Sequence, residues 1–202
     1  MNRPTMSSKK KHKQGKVLIL SGPSGSGKTT LHKALLGSPK LKGKIVKSIS
    51  ATTRAKRQGE RENKDYLFLT ETVFAKRILR GYFLEWEKVF DNYYGTPKRQ
   101  VLNLLKKGKH VLMCIDVKGA DHINRQFPQA VKIFIKPPSI QALHQRLRKR
   151  ASETPKSLQR RIKVAQQELK RAKDYDYVII NGSLERAKAD LEKLVAKALG
   201  IR

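Results

Sequence analysis

The run Gly22-Pro23-Ser24-Gly25-Ser26-Gly27-Lys28-Thr29 fits G-x-x-x-x-G-K-S/T at every position. Glycines at this spacing let successive backbone N–H groups converge on one anion, and a helix starting behind them adds the positive end of its dipole. Lys28 brings a mobile charge to the outer phosphates of a nucleoside triphosphate, and the Thr29 hydroxyl can hold a Mg²⁺ bridging them. The loop works only between a strand and a helix. The flanks supply both, in the apolar Val17-Leu18-Ile19-Leu20 before it and Thr30-Leu31-His32-Lys33-Ala34-Leu35-Leu36 after it.

Further blocks with chemical potential follow in order: Ser50-Ala51-Thr52-Thr53-Arg54-Ala55-Lys56-Arg57, Gly59-Glu60 and Lys64-Asp65-Tyr66. After them come Gly81-Tyr82-Phe83-Leu84-Glu85-Trp86, Asn92-Tyr93-Tyr94-Gly95-Thr96-Pro97 and Ile115-Asp116-Val117-Lys118-Gly119-Ala120. Together with the phosphate loop, these blocks resemble guanylate kinase, in register over essentially the whole chain from Lys16 to Leu199. The chemistry is sensible in its own right. Two arginines three apart, with two tyrosines from elsewhere, can surround a phosphate monoester with charged forks and phenolic donors. Guanine offers N1–H and N2–H₂ donors on one edge, for which a carboxylate such as Glu85 is the natural acceptor.

The resemblance implies a P-loop NTPase fold of the α/β class: a central parallel β-sheet flanked by helices, an inserted GMP-binding lobe over about 50–95 and a short lid over about 146–161. It implies ATP as phosphate donor, bound by Gly22 through Thr29, by Thr30, and by Asn181 near the adenine ring. It implies GMP as acceptor, its phosphate held by Arg54, Arg57, Tyr66 and Tyr94, its base read or supported by Glu85, Ser50, Thr96 and Asp116. Lys28, Arg146, Arg150 and Arg161 would neutralise the transferring phosphoryl group, with Mg²⁺ as cofactor on Thr29. No general base is required, because a GMP phosphate with a second pKa of about 6 is already an anionic nucleophile at neutral pH. The sequence departs from the family's pattern at Cys114, where an acidic residue is usual two positions before the Asp116 match. The residues alone also admit blander roles: Arg54 and Arg57 as surface charge, Ser50 as a turn residue, Thr96 as a helix cap, Trp86 as core. They admit other functions too: an inactive interaction module of the same family, a kinase for another phosphate acceptor, or a basic protein associated with nucleic acid.

Strand and helix signals alternate along the chain, the mark of a parallel sheet with crossover helices. Strands are expected over 17–21, 44–50, 66–69, 83–89, 93–94, 111–116, 131–136 and 177–181. Helices are expected over 29–36, 71–80, 97–107, 139–150, 155–173 and 184–199. Thr96-Pro97 reads as an N-cap followed by a proline at the first helical position. Residues 1–15 read as a disordered basic tail and 16–200 as one domain.

Lys and Arg total 46 against 16 Asp and Glu, a net charge of +30. Such a field attracts nucleotides and favours nonspecific attachment to polyanions. Cys114, the sole cysteine, precludes an intrachain disulfide and reads as a small buried hydrophobe. No apolar run approaches the roughly 18 residues of a membrane span. No secretory leader is expected, and the reducing cytoplasm is the expected address. Oligomeric state is not legible.

Overall fold

In this computed structural model the described residues are 14–148 and 155–201. The expected tail lies outside them as far as residue 13, as does Arg150 in the expected lid. In chain order the first elements are β1 (Val17–Ser21), α1 (Lys28–Gly37), β2 (Ile45–Lys47), β3 (Ala51–Thr52), β4 (Leu67–Phe68), α2 (Glu71–Leu79), β5 (Phe83–Val89) and β6 (Asn92–Pro97). There follow α3 (Lys98–Lys106), β7 (His110–Cys114), α4 (Val117–Gln126), β8 (Val131–Lys136), α5 (Ile140–Arg148), α6 (Pro155–Lys170), a 3₁₀ turn (Arg171–Asp174), β9 (Tyr177–Ile180) and α7 (Leu184–Leu199).

Five strands form a parallel sheet in the order β2-β7-β1-β8-β9. Every residue of β1 is buried, because it is central and covered on both faces. Side chains alternate across a strand, so Leu18 and Leu20 pack with Leu31, Leu35, Leu191 and Val195 from α1 and α7. Val17 and Ile19 face the other way, onto Val101, Leu105 and Ile123 from α3 and α4. Burial on both sides explains why the strand reads as an unbroken apolar run.

A second sheet, β4-β3-β6-β5, stands apart, closed by α2. Its core is aromatic, with Phe74 of α2 stacked on Phe83 at 4.5 Å and on Tyr93 at 5.5 Å. Thr70 caps α2 by accepting from Val73 N, and Gly81 after its end adopts φ 61°, as a glycine terminator does.

Several boundaries differ from those expected. The segment 44–50 pairs only over Ile45–Lys47, because Ala51–Thr52 switches to the second sheet. The strand after Lys109 ends at Cys114, and Asp116 instead caps α4, a helix the sequence did not announce. Thr96 does not cap α3: Pro97 occupies the N-cap with no side-chain bond, and Thr96 is a residue of β6. Trp86 is 41% exposed rather than core, because strand alternation turns it away from buried Glu85.

Candidate active site

The phosphate loop leaves β1 at Ser21 and enters α1 at Lys28. Gly27 is the N-cap of α1 with φ 92°, and a Cβ there would lie 2.1 Å from Asn181 Nδ2. A side chain is excluded at Gly27 by conformation and by space. Asn181 is itself buried, and its amide donates to the Ser26 carbonyl at 2.8 Å, tying the end of β9 to the loop. Lys28 Nζ donates to the carbonyls of Gly22 (2.5 Å) and Pro23 (2.9 Å), so its ammonium lies over the loop.

A cleft of about 240 Å³ joins this loop to the second sheet. Ser24, Lys28 and Thr29 line it together with Ser50, Arg57, Tyr66, Glu85, Tyr94 and Asp116. An adjoining hollow of about 490 Å³ shares Thr29, Ser50, Arg57, Tyr66 and Tyr94 and adds Arg54, Lys47 and His32. Its surroundings are cationic: burial first, then Lys47 and Lys33, press the His32 pKa down to about 4.

Glu85 is 7% exposed and sits just past a register shift in the β5–β6 ladder. Such irregularities re-aim side chains. The Gln126 amide of α4 takes the Leu84 carbonyl at 2.6 Å, fastening β5 to α4 there. The Thr96 hydroxyl donates to Glu85 Oε1 at 2.5 Å. Burial outweighs that bond, and with the nearby Asp116 charge it pushes the Glu85 pKa up to about 7. On the other side stands the first turn of α4, where a Cβ at Gly119 would lie 2.9 Å from Glu85 Oε2. Asp116 Oδ1 accepts from Gly119 N at 2.8 Å.

Arg54 is half-buried, its Nη2 donating to both Glu60 oxygens at 2.8 and 3.0 Å, with its guanidinium 5.5 Å from the Tyr66 ring centre. Glu60 also accepts from Arg57 N at 2.8 Å, so one carboxylate orders both arginine positions. Tyr66 and Tyr94 meet edge to face at 6.2 Å. Burial raises the Tyr66 pKa to about 12, which keeps the phenol a proton donor. Lys47 donates to the carbonyls of Lys64 and Asp65, both at 2.8 Å, and pins the segment that presents Tyr66.

The C-terminal arginines divide. Arg161 lines the cleft and lies 4.9 Å from the Phe90 ring centre. Arg146 is not in that cleft; its Nη2 donates to the Asn181 carbonyl at 2.9 Å, behind the phosphate loop. The sequence reading missed Phe90, Val164 and Glu168, which also line the cleft. Arg161, Val164 and Glu168 fall at i, i+3 and i+7, a helical stripe that spacing could have exposed. Burial pushes the Glu168 pKa up to about 7, against the pull of Lys28. Cys114 is half-buried and faces the cleft, which corrects its reading as a core residue.

No group of three or more metal-ligating His, Cys, Asp or Glu side chains exists among the described residues. The Thr29 hydroxyl, which lines the cleft, is an oxygen donor of the kind that suits a hard cation carried in largely by phosphates and water, which is how Mg²⁺ usually arrives.

Residues 14–198 match the guanylate kinase family. A guanylate kinase of Caldanaerobacter subterraneus subsp. tengcongensis is 43% identical over 183 residues, covering 91% of this chain and 87% of that one. One from Onion yellows phytoplasma is 45% identical over 179 residues, covering 88% and 84%. The crystal structure of guanylate kinase from Anaplasma phagocytophilum superposes with a TM-score of 0.77 at 33% identity, covering 93% of this chain and 87% of that one.

Proposed function

The chain belongs to the guanylate kinase family, and on that premise we propose that it transfers the terminal phosphoryl group of ATP reversibly to GMP, giving ADP and GDP. The observation that carries the acceptor's identity is the buried Glu85–Thr96 pair opening on the same cleft as the phosphate loop. A buried carboxylate needs donors, and the N1–H and N2–H₂ of guanine supply two on one edge. Ser50 and Asp116 line the cleft beside it and support the base in this reading.

Arg57, Tyr66 and Tyr94 take the GMP phosphate, with Arg54 joining as its pairing with Glu60 yields to the phosphate. Gly22 through Thr30 hold the ATP phosphates, and Asn181, near the adenine in this assignment, also keeps the loop in shape through Ser26. Lys28 and Arg161 neutralise charge on the transferring group. Arg146 and Arg150 belong to the same lid, residues 146–161, and residues 50–95 form the GMP-binding lobe of a domain over 16–200. Mg²⁺, when bound with ATP at Thr29, supplies charge neutralisation on the phosphates. The protein's own part is positioning and electrostatic preorganisation, because the acceptor oxygen is already anionic. An intact phosphate loop speaks against an interaction module that has lost catalysis.

No described helix is long and apolar enough to cross a membrane, and we assign the enzyme to the cytoplasm. The net charge of +30 adds a general attraction for polyanions that is separate from catalysis.

The test is a coupled assay with ATP and, in turn, GMP, AMP, CMP and UMP. GMP should be preferred by kcat/KM of ~10⁴-fold, the scale of discrimination reached by buried polar readout. Comparable turnover of any other acceptor would remove the assignment.

A further inference from the structure

The cleft lies at the C-terminal ends of the parallel strands, beyond Ser21 and Cys114. The N-terminal ends form the opposite pole, and the topology brings three separate stretches of lysine together there. Lys44 and Lys109 stand one step before the register pair Ile45–His110, on adjacent strands β2 and β7. Lys16 precedes β1 beside them, its backbone N–H donating to His110 Nδ1 at 3.0 Å. His110 N donates to the Lys44 carbonyl at 3.1 Å, and Lys109 Nζ reaches the Gly43 carbonyl at 2.7 Å. Lys42 in the adjoining loop, and Lys106 and Lys107 at the end of α3, complete the group. All of these lysines are exposed.

Two features separate this pole from ordinary solvated charge. The segments that build it, 14–16, 38–45, 105–110 and 196–201, contain no Asp or Glu. None of the ion pairs among the described residues includes these lysines. Six like charges held together without counter-charge destabilise the fold through repulsion, which a polyanion would relieve. The segments that carry these lysines have none of the exposed large apolar side chains, which speaks against insertion into a bilayer or stacking on splayed bases there. Five-residue strands separate it from the phosphate loop by roughly 15 Å. That exceeds the Debye length of about 8 Å at physiological salt, so these charges add little to nucleotide steering. Gly15 N, next to Lys16, donates to the Leu105 carbonyl at 3.0 Å and holds this stretch against the end of α3.

We propose that the lysine pole at the N-terminal edge of the parallel sheet binds the phosphate backbone of duplex nucleic acid without sequence preference, at the end of the molecule opposite the kinase cleft. It rests on the clustering of these lysines at one end of the sheet and not on the phosphoryl-transfer reading. Lysines act as point charges on phosphates, and nothing at the pole offers base readout.

The test is fluorescence anisotropy with a labelled 25-base-pair random duplex and the full chain, from 50 to 200 mM KCl. Binding should fall steeply with salt, and K42E/K44E/K107E/K109E should weaken it at least ~10-fold at 100 mM and flatten the log–log salt slope by about 3–4. Turnover of GMP and ATP by that variant should match wild type, which also verifies its fold; the neutral K42Q/K44Q/K107Q/K109Q set replaces it if it does not fold. The control K76E/R80E/K98E/R99E makes the same charge change on α2 and its C-cap and on the first turn of α3, away from the pole, and should leave most of the affinity. Equal losses from the two sets would overturn the proposal by showing diffuse attraction. Tighter binding to a single strand of the same length, or to phosphatidylserine vesicles, would overturn it in favour of another partner.

Discussion

Glu85 and Thr96 are register partners across the β5–β6 ladder, and the Thr96 hydroxyl donates to Glu85 Oε1 at 2.5 Å. The pairing leaves a buried carboxylate with one oxygen fixed by the fold and the other, Oε2, against Gly119 of the first turn of α4. A titratable group whose pKa burial has raised to about 7 thus stands at the edge of the cleft.

The first prediction concerns pH. The folded protein holds a proton on Glu85 that the unfolded chain releases between its ordinary value of 4.5 and about 7. This group's contribution to stability is therefore full below about pH 4.5 and is lost as pH rises through about 7. Glu85→Gln mimics the protonated state, so its melting temperature should gain on wild type between pH 5 and pH 8. GMP binding runs the opposite way, since guanine's donors require the ionised carboxylate. The KM for GMP should rise below pH 7 in wild type, and that dependence should flatten in Glu85→Gln. A wild-type GMP KM indifferent to pH from 5 to 8 would show that Glu85 does not meet the base.

Gly119→Ala tests the same corner by volume. Its methyl would lie 2.9 Å from Glu85 Oε2 and displace the carboxylate. We expect kcat/KM for GMP to fall ~10-fold or more, with ATP affinity unchanged, since a modest misplacement of a positioned group costs up to ~10²-fold. Equilibrium binding of ATP and steady-state kinetics with GMP separate the two effects. Equal losses for both nucleotides would point to a damaged fold instead.

Much of this architecture could be read from residue types. Gly22–Thr29 is legible because each position meets a local demand, such as the positive φ of Gly27. β1 is legible because both its faces are buried. What escaped depends on partners distant in sequence. Thr96 before Pro97 has the local signature of a cap, yet its hydroxyl goes to a residue eleven positions back across a hairpin. β3 and β4, two residues each, exist only through pairing with each other and with β6. α4 hides behind Lys118 and Gly119, and only the Asp116 cap onto Gly119 N reveals its start. Glu168 looks like one more surface acid until α6 is laid along the cleft.

Lys28→Ala should keep the fold and lose at least ~10²-fold in kcat. Losing one preorganised electrostatic contact in such a site costs about 3–4 kcal/mol of transition-state stabilisation. Circular dichroism and single-turnover kinetics check the two halves. Near-normal turnover would exclude this loop as the seat of phosphoryl transfer.

Arg161 and Arg146 should part company on substitution. Arg161 lines the cleft, so Arg161→Ala should lower kcat with little change in melting temperature. Arg146 holds the Asn181 carbonyl, and Asn181 in turn holds Ser26, so Arg146→Ala should also weaken ATP binding and lower the melting temperature. Thermal melts with and without ATP, beside steady-state kinetics, make the comparison. Identical profiles for the two variants would contradict the division.

The most direct measurement is kcat/KM for GMP and for AMP, in wild type and in Glu85→Gln, with ATP affinity determined alongside. The substitution keeps size but turns one acceptor oxygen into a donor that opposes the guanine edge, so the full penalty falls on a buried polar group. Activity with GMP should drop sharply, the preference of ~10⁴-fold over AMP should narrow, and ATP affinity should stay nearly unchanged. An unaltered preference for GMP in Glu85→Gln would contradict Glu85 as the residue that reads the base.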